Sequence, residues 1–362
     1  MPPPRPSPPQ PDAARDSVQG VKLGLSLGYW SSGPPPEATE AVAEAERLGF
    51  DSLWTAEAYG SDALTPVAWW GSRTTRLRLG TGICQMSART PTATAMAAMT
   101  LDHLSEGRFI LGLGASGPQV VEGWYGQPYP KPLARTREYV EIVRRVLARQ
   151  EPVDFSGEHY TLPYAGGTGL GKALRSTIHP RRADLPVFLG AEGPKNIALT
   201  AEIADGWVAM LYTPKEDGWY RARLAEGFAR RSPERRAASE FEVVGLVPAV
   251  VHPDVEAAAD MIRPFIALYA GGMGAKGANF HHEVIARMGY EAEAARIQEL
   301  YLAGRKQEAA AAVPTKLVED LALVGPVEKI RDELQAWEET VITTMLVSGP
   351  PALLRTLAEL VL

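Results

Sequence analysis

Residues 186–207 read PVFLGAEGPKNIALTAEIADGW, and this stretch decides the class of fold. The apolar run 186–189 predicts a strand. Pro194 then opens a predicted helix, at the position where its missing N–H would have been unbonded anyway. A second apolar run, 208–211, follows Asp205-Gly206-Trp207. Strand, turn, helix and strand within about 25 residues predict a βαβ unit.

The turn in this unit is a candidate binding site for an anion. The backbone N–H groups around Glu192, Gly193 and Lys195 converge at the positive end of the predicted helix, where phosphate groups commonly bind. An ordinary turn with no ligand is the alternative interpretation, and the segment alone does not decide between them.

The rest of the chain repeats the same alternation of apolar runs and helical stretches. Eight strands, each followed by a helix, predict a closed (β/α)8 TIM barrel, an α/β fold, rather than an open sheet. Buried parallel strands are continuous apolar runs, as most of these are. The predicted strands are 21–27, 52–55, 77–83, 109–113, 187–189, 208–211, 242–251 and 341–347.

Two stretches interrupt the repeat, and one precedes it. Residues 153–182 contain a predicted hairpin with its turn at Ser156-Gly157, and residues 269–312 form a second, mostly helical insertion. Long segments of this kind usually serve as lids or oligomer contacts, so we expect a homodimer or higher homo-oligomer. Residues 1–20, rich in proline, predict a disordered tail rather than a signal peptide, which leaves 21–362 as one barrel domain.

Composition excludes several classes of protein. The 362 residues carry a net charge of −6, which argues against nucleic-acid binding. The single cysteine, Cys84, allows no intrachain disulfide and no cysteine-based metal cluster. The six histidines show no metal-ligand spacing beyond the adjacent His281-His282, so no metal site is expected. No apolar run approaches the roughly 20 residues that span a bilayer, and the expected location is the cytoplasm.

Two further motifs connect the chain to a family. Residues 79–91 read LGTGICQMSARTP and residues 104–118 read LSEGRFILGLGASGP. The order of strand, Arg-x-Pro, helix, Ser-x-Gly-Arg, strand and Gly-x-Gly resembles the bacterial luciferase-like monooxygenase superfamily. The runs QVVEGW at 119–124 and KPLARTRE at 131–138 are similar to its F420-dependent branch in particular. The resemblance covers about residues 21–350.

This resemblance implies an oxidoreductase. The expected reaction is hydride transfer between the deazaflavin F420 and a small organic substrate, with the cofactor supplying the difficult chemistry. The alternative is an FMN-dependent monooxygenase that uses reduced flavin and oxygen.

The resemblance also implies the residues that hold the cofactor. A bulge after the third strand would contain a cis peptide at Gly82–Ile83, with Ile83 behind the ring and Gln85 on its polar side. Ala115 and Ser116 would hold the cofactor side chain. The phosphate would lie on Ala191, Glu192, Gly193, Lys195 and Asn196.

Glu192 departs from the family, which often has glycine there. A carboxylate beside a phosphate is unfavourable, so we expect Glu192 to point away and to contribute only its N–H.

Glu57, at the end of the second predicted strand, is the candidate catalytic residue. An acidic residue here contacts the polar ring edge in the family, and a carboxylate can handle a proton. An ordinary loop glutamate is the alternative interpretation. Arg89 is expected to be structural, tying the third loop to a neighbouring carbonyl or carboxylate.

Other positions exclude one activity and define the rim of the site. Ala58 and Ala115 stand where the family's sugar-phosphate dehydrogenases have a histidine and a glutamate, which argues against that activity. Tyr29 and Trp30 are expected to form an apolar substrate wall, with His281 and His282 approaching as a lid.

Overall fold

The computed structural model describes residues 20–274, 276–277 and 279–362. The predicted tail, residues 1–20, therefore lies outside the described residues except for Gly20.

Eight parallel strands close into a barrel, as the sequence predicts. Each strand pairs with the next along the barrel, and the last pairs with the first through Leu23 and Met345. The barrel strands are β1 Lys22–Ser26, β2 Ser52–Thr55, β3 Arg78–Thr81, β4 Phe109–Gly114, β5 Val187–Gly190, β6 Gly206–Ala209, β7 Glu242–Leu246 and β8 Thr344–Val347.

Helices follow the strands and surround the barrel. Several begin with proline at the first helical position, and Thr90 caps one of them by accepting a hydrogen bond from the N–H of Ala93. These helices are Ala38–Leu48, Leu64–Gly71, Pro91–Leu104, Pro118–Val121, Pro132–Ala148, Pro194–Ile203, Asp217–Phe228, Val327–Glu338 and Pro351–Val361.

Large side chains fill the inside of the barrel. Trp54 and Phe188 lie there with Ile110, and neighbouring strands carry glycine opposite them. A Cβ atom on Gly80 would lie 2.4 Å from Trp54, and one on Gly206 would lie 2.6 Å from Phe188. The barrel is therefore a packed core rather than a pore, and ligands have access only at its ends.

The seventh strand is shorter than predicted. β7 ends at Leu246, and the predicted continuation to residue 251 is wrong. Pro248 has no N–H to donate to a neighbouring strand, so the ladder cannot continue through it. The chain leaves the barrel there, and Ala249–Val251 pairs in parallel with Leu323–Gly325.

Both predicted insertions are present, but the second is larger than predicted. In the first, Phe155–Ser156 pairs with Thr161–Leu162 as an antiparallel hairpin. The predicted turn position is wrong by one residue, because Ser156 pairs with Thr161 and the turn runs from Gly157 to Tyr160, closed by a hydrogen bond from Gly157 N–H to Tyr160 O. In the second, the helical segment extends beyond residues 269–312 on both sides, because its helices share one apolar cluster. Its helices are Val255–Ala267, Phe280–Ile285, Glu291–Leu302, Lys306–Ala311 and Thr315–Leu321, with π-helical turns at Leu268–Gly272 and Ala286–Tyr290.

A buried carboxylate ties the βαβ unit together at the end of the barrel where its strands begin. Asp205 Oδ2 accepts hydrogen bonds from Arg144 at 2.7 Å and from the N–H of Val187 at 2.9 Å. Arg231 Nη2 lies 3.7 Å from the other carboxylate oxygen. This one side chain therefore joins β5, β6 and the helix Pro132–Ala148.

Replacing Asp205 by asparagine should destabilise the barrel strongly. Asp205→Asn leaves the guanidinium of Arg144 buried without its counter-charge, and we expect the free energy of unfolding to fall by about 3 kcal/mol. Unfolding of the protein in guanidinium chloride, monitored by circular dichroism, measures this loss.

An exposed ion pair provides the matched control. Glu141 and Arg145 form such a pair, with side chains 46% and 47% exposed. Glu141→Gln should change stability by less than about 0.5 kcal/mol. Equal stabilities of the two variants would contradict the role assigned to Asp205.

Candidate functional site

A bulge after β3 shapes the end of the barrel where the strands finish. Gly80 pairs with Ile110 and Cys84 with Leu113, so the chain that leaves β3 contains one residue more than β4 between these pairs. The Gly82–Ile83 peptide within the bulge is cis. Both features were expected from the family resemblance.

The Thr81 side chain replaces the strand pairing that the bulge interrupts. Its Oγ1 accepts a hydrogen bond from Gly112 N–H at 2.9 Å and donates one to Gly112 O at 2.8 Å. A Cβ atom on Gly112 would lie 1.7 Å from Thr81 O. Only glycine fits at position 112.

Ile83 forms a half-buried floor at the end of the barrel where the strands finish, which we call the barrel mouth. A Cβ atom on Gly114 would lie 2.7 Å from Ile83 Cδ1, and one on Gly190 would lie 3.1 Å from Ile83 Cγ2. The isoleucine side chain therefore crosses the ends of β4 and β5, in space that these two glycines leave open.

Glu57 is paired rather than free. Arg89 donates two hydrogen bonds to its carboxylate, at 2.7 and 2.8 Å, and the N–H of Gln85 donates a third at 2.8 Å. The Glu57 side chain is only 4% exposed. The hydrogen bonds to Glu57 hold the pKa of Arg89 above its ordinary value. Arg89 therefore ties the third loop to a carboxylate, as expected, and Glu57 supplies that carboxylate.

The Gln85 amide has an unambiguous orientation. Its Nε2 donates to the carbonyl oxygens of Glu57 and Ala58, at 3.3 and 3.2 Å. Its Oε1 is therefore turned away from them, and it is buried without a hydrogen-bond donor among the described residues. Burial also raises the pKa of the neighbouring Cys84 thiol to about 12, so this thiol stays protonated at neutral pH.

Ala115 and Ser116 lie directly after β4. Ser116 adopts a left-handed conformation with φ of 60°, uncommon for a residue with a side chain, and its carbonyl accepts a hydrogen bond from Tyr129 at 3.1 Å. Ala115 lines a small cleft beside the bulge, together with Met86, Ser87, Val121, Tyr129, Pro132, Arg135 and Thr136.

The turn after β5 has free donors. The N–H groups of Gly193 and Lys195 donate to no acceptor in the described part of the chain, whereas the N–H of Asn196 donates to Gly193 O. A Cβ atom on Gly193 would meet no atom within 4 Å. The indole N–H of Trp207 donates a hydrogen bond to Ala191 O at 2.8 Å and so fixes the position of the turn.

The Glu192 carboxylate contacts the second insertion. Its Oε1 lies 2.7 Å from Nδ1 of His281, and its Oε2 is buried without a donor among the described residues. The His281 ring packs edge-on against Tyr269, whose hydroxyl lies 3.5 Å from that of Tyr29. The carboxylate therefore points toward the insertion, and His281 contacts the turn, whereas the expected role of the two histidines as a lid stays a prediction. His282 forms no ion pair with Glu192.

Sequence reasoning missed Asn279, which places His281. Its amide nitrogen donates to the carbonyl oxygens of Tyr269 and Ala270, and its Oδ1 accepts from the N–H groups of His281 and His282. Asparagine directly before a helical stretch is a helix-capping signal, so this role was detectable.

Two classes of feature are absent from the part of the chain that the structure describes. It contains no cluster of three or more His, Cys, Asp or Glu side chains that could hold a metal ion. None of its helices has the length and apolar character needed to cross a membrane.

Comparisons with known proteins agree with this architecture. A Mycobacterium tuberculosis protein, provisionally named as a coenzyme F420-dependent oxidoreductase, is 56% identical over 345 residues, covering 94% of this chain and 99% of the relative. A 5,10-methylenetetrahydromethanopterin reductase of Archaeoglobus fulgidus is 31% identical over 235 residues, or 64% of this chain and 65% of the relative. The solved structure of the F420-dependent tetrahydromethanopterin reductase of Methanopyrus kandleri shares the fold, with a TM-score of 0.76 at 21% identity over 94% of this chain and 98% of that one.

The model of the luciferase-like monooxygenase family matches residues 18–344. The chain therefore belongs to the luciferase-like monooxygenase family.

Proposed function

We propose that this protein is an F420-dependent oxidoreductase that transfers a hydride between the deazaflavin ring and a small organic substrate. Its near full-length similarity to a relative named for F420 supports this proposal. The observation that carries it is the geometry of the barrel mouth. There the Ile83 side chain lies over Gly190 at the end of β5, and the open turn at Gly193 comes directly after that strand.

The residues of the mouth fit such a cofactor. When bound, F420 supplies the hydride chemistry, and the protein orients it and excludes water. Gly82 and Ile83 would support the ring, and the unsatisfied Oε1 of Gln85 would accept a hydrogen bond from a ring N–H. Ala115 and Ser116 would contact the cofactor side chain.

The phosphate of the cofactor would bind the turn after β5. The free N–H groups of Gly193 and Lys195 suit an anion, and the space at Gly193 lets it approach the backbone. The turn residues proposed for this contact are Ala191, Glu192, Gly193, Lys195 and Asn196.

Glu57 acts, in this proposal, as a positioning residue rather than as a proton carrier. Both of its carboxylate oxygens already accept hydrogen bonds from Arg89. Its contact with the N–H of Gln85 fixes the bulge that carries Ile83.

Two alanines narrow the substrate class. Ala58 and Ala115 supply no acid or base at the positions that sugar-phosphate oxidation would require, so we propose a different organic substrate. Homo-oligomerisation and a cytoplasmic location stay predictions.

Cofactor binding tests the proposal directly. The purified protein should bind F420 more tightly than FMN in a fluorescence titration. Gly193→Val should weaken F420 binding at least tenfold, about 1.4 kcal/mol, because the new side chain occupies the space that the phosphate needs.

The chain offers a matched control for this variant. Gly20 also has open space around it, but it lies before β1, at the opposite end of the barrel. Gly20→Val should bind F420 like the unchanged protein. Tighter binding of FMN, with oxygen consumption by the reduced flavin complex, would favour the monooxygenase alternative instead.

A second titration tests the role of Glu57. Glu57→Gln and Arg89→Gln should each weaken F420 binding about fivefold to tenfold, because each one loosens the bulge. The double variant should be no weaker than either single variant, since residues acting as one unit are not additive. Full F420 affinity in Glu57→Gln, with turnover lost, would instead make Glu57 the proton carrier.

A further inference from the structure

The turn that we propose for the phosphate contains an electrostatic conflict. Its free N–H groups at Gly193 and Lys195 attract an anion, whereas Glu192 places a carboxylate in the same turn. Like charges at close range repel each other, and the repulsion is stronger where protein replaces water. An uncompensated Glu192 would therefore weaken phosphate binding.

His281 is placed to remove this conflict. Its Nδ1 lies 2.7 Å from Glu192 Oε1, and the two side chains are only 20% and 12% exposed. Among the described residues, His281 is the one basic side chain within ion-pair distance of Glu192.

The other titratable groups around the pair do not neutralise Glu192. Burial raises the pKa of Tyr220 to about 12 and also raises that of Tyr269, so both phenols stay neutral. Arg287 lies 3.7 Å from Glu216 and 3.9 Å from the centre of the Trp219 ring. Tyr29 and Tyr59 lie close enough to Tyr269 to raise its pKa. Lys195 follows Glu192 by three residues, and His282 and Glu283 directly follow His281 along the chain.

We propose that His281 is a specificity-determining residue for phosphate-bearing cofactors, because its contact with Glu192 holds that carboxylate toward the second insertion and away from the phosphate. This inference rests on the proposed F420 function. It assigns the second insertion a direct role in cofactor binding, through a residue that contacts the turn rather than the phosphate.

A deazaflavin that lacks the phosphate-bearing tail carries the same ring and serves as the reference ligand. Because it brings no anion to the turn, a comparison with F420 isolates the contribution of the phosphate.

A double-mutant cycle tests the pair. F420 and the phosphate-free deazaflavin are titrated by fluorescence into the unchanged protein, His281→Gln, Glu192→Gln and the double variant. His281→Gln should weaken F420 binding about tenfold and leave the phosphate-free ligand unaffected. The double variant should recover F420 affinity, because no carboxylate remains to repel the phosphate.

The adjacent histidine provides the control. His282→Gln changes the same helix without touching Glu192, and it should bind F420 like the unchanged protein. Circular dichroism verifies that each variant is folded.

The outcomes separate the inference from the proposed function. Normal F420 binding by His281→Gln overturns the inference. Equal loss of both ligands, or no recovery in the double variant, assigns His281 a purely structural role and overturns it too. If the unchanged protein binds neither deazaflavin, the proposed function fails and the inference fails with it.

Discussion

One extra residue in the chain after β3 sets the arrangement of the whole barrel mouth. Side chains alternate along a strand, so a shift of one residue moves every later side chain to the other face. The shift turns Ile83 into the mouth and brings the N–H of Gln85 to Glu57. It persists because Thr81 Oγ1 satisfies both backbone groups of Gly112 where the ladder is interrupted.

Features that depend on neighbours in the chain were predictable from the sequence. The turn at Gly193 and the hairpin in the first insertion each lie within a short run of residues, so a local pattern identifies them. The bulge after β3 was expected only from the family resemblance, because the residues alone also fit a plain strand end. The end of β7 also depends on a neighbour in the chain, because Pro248 interrupts the ladder. The prediction nevertheless extended the strand, because the residues after Pro248 are apolar too. Apolar pattern alone does not distinguish a barrel strand from a short strand that pairs outside the barrel.

Side-chain pairing at the site was not predictable. The partner of Glu57 is Arg89 on the next loop, and the partner of Glu192 is His281 in a distant insertion. The sequence does not specify which charged side chains pair with each other, because the pairing depends on how loops from separate strands converge. The sequence did indicate that Arg89 needed an acceptor, and the structure identifies that acceptor as Glu57. The expectation for Glu192 concerned only the direction of its carboxylate relative to a phosphate, which stays a prediction, and it named no partner.

These pairs divide the mouth into two chemically different walls. On the side of β2 and β3, the charge of Glu57 is neutralised by Arg89, and Ala58 and Ala115 add no titratable group. On the opposite side, Glu192 and His281 face each other, with the hydroxyls of Tyr29 and Tyr269 nearby. The first wall is fixed by hydrogen bonds between barrel loops. The second wall joins a barrel turn to a separate helical cluster, so its geometry depends on how that insertion packs. A change in the insertion can therefore reshape the second wall without disturbing the first wall or the Ile83 floor.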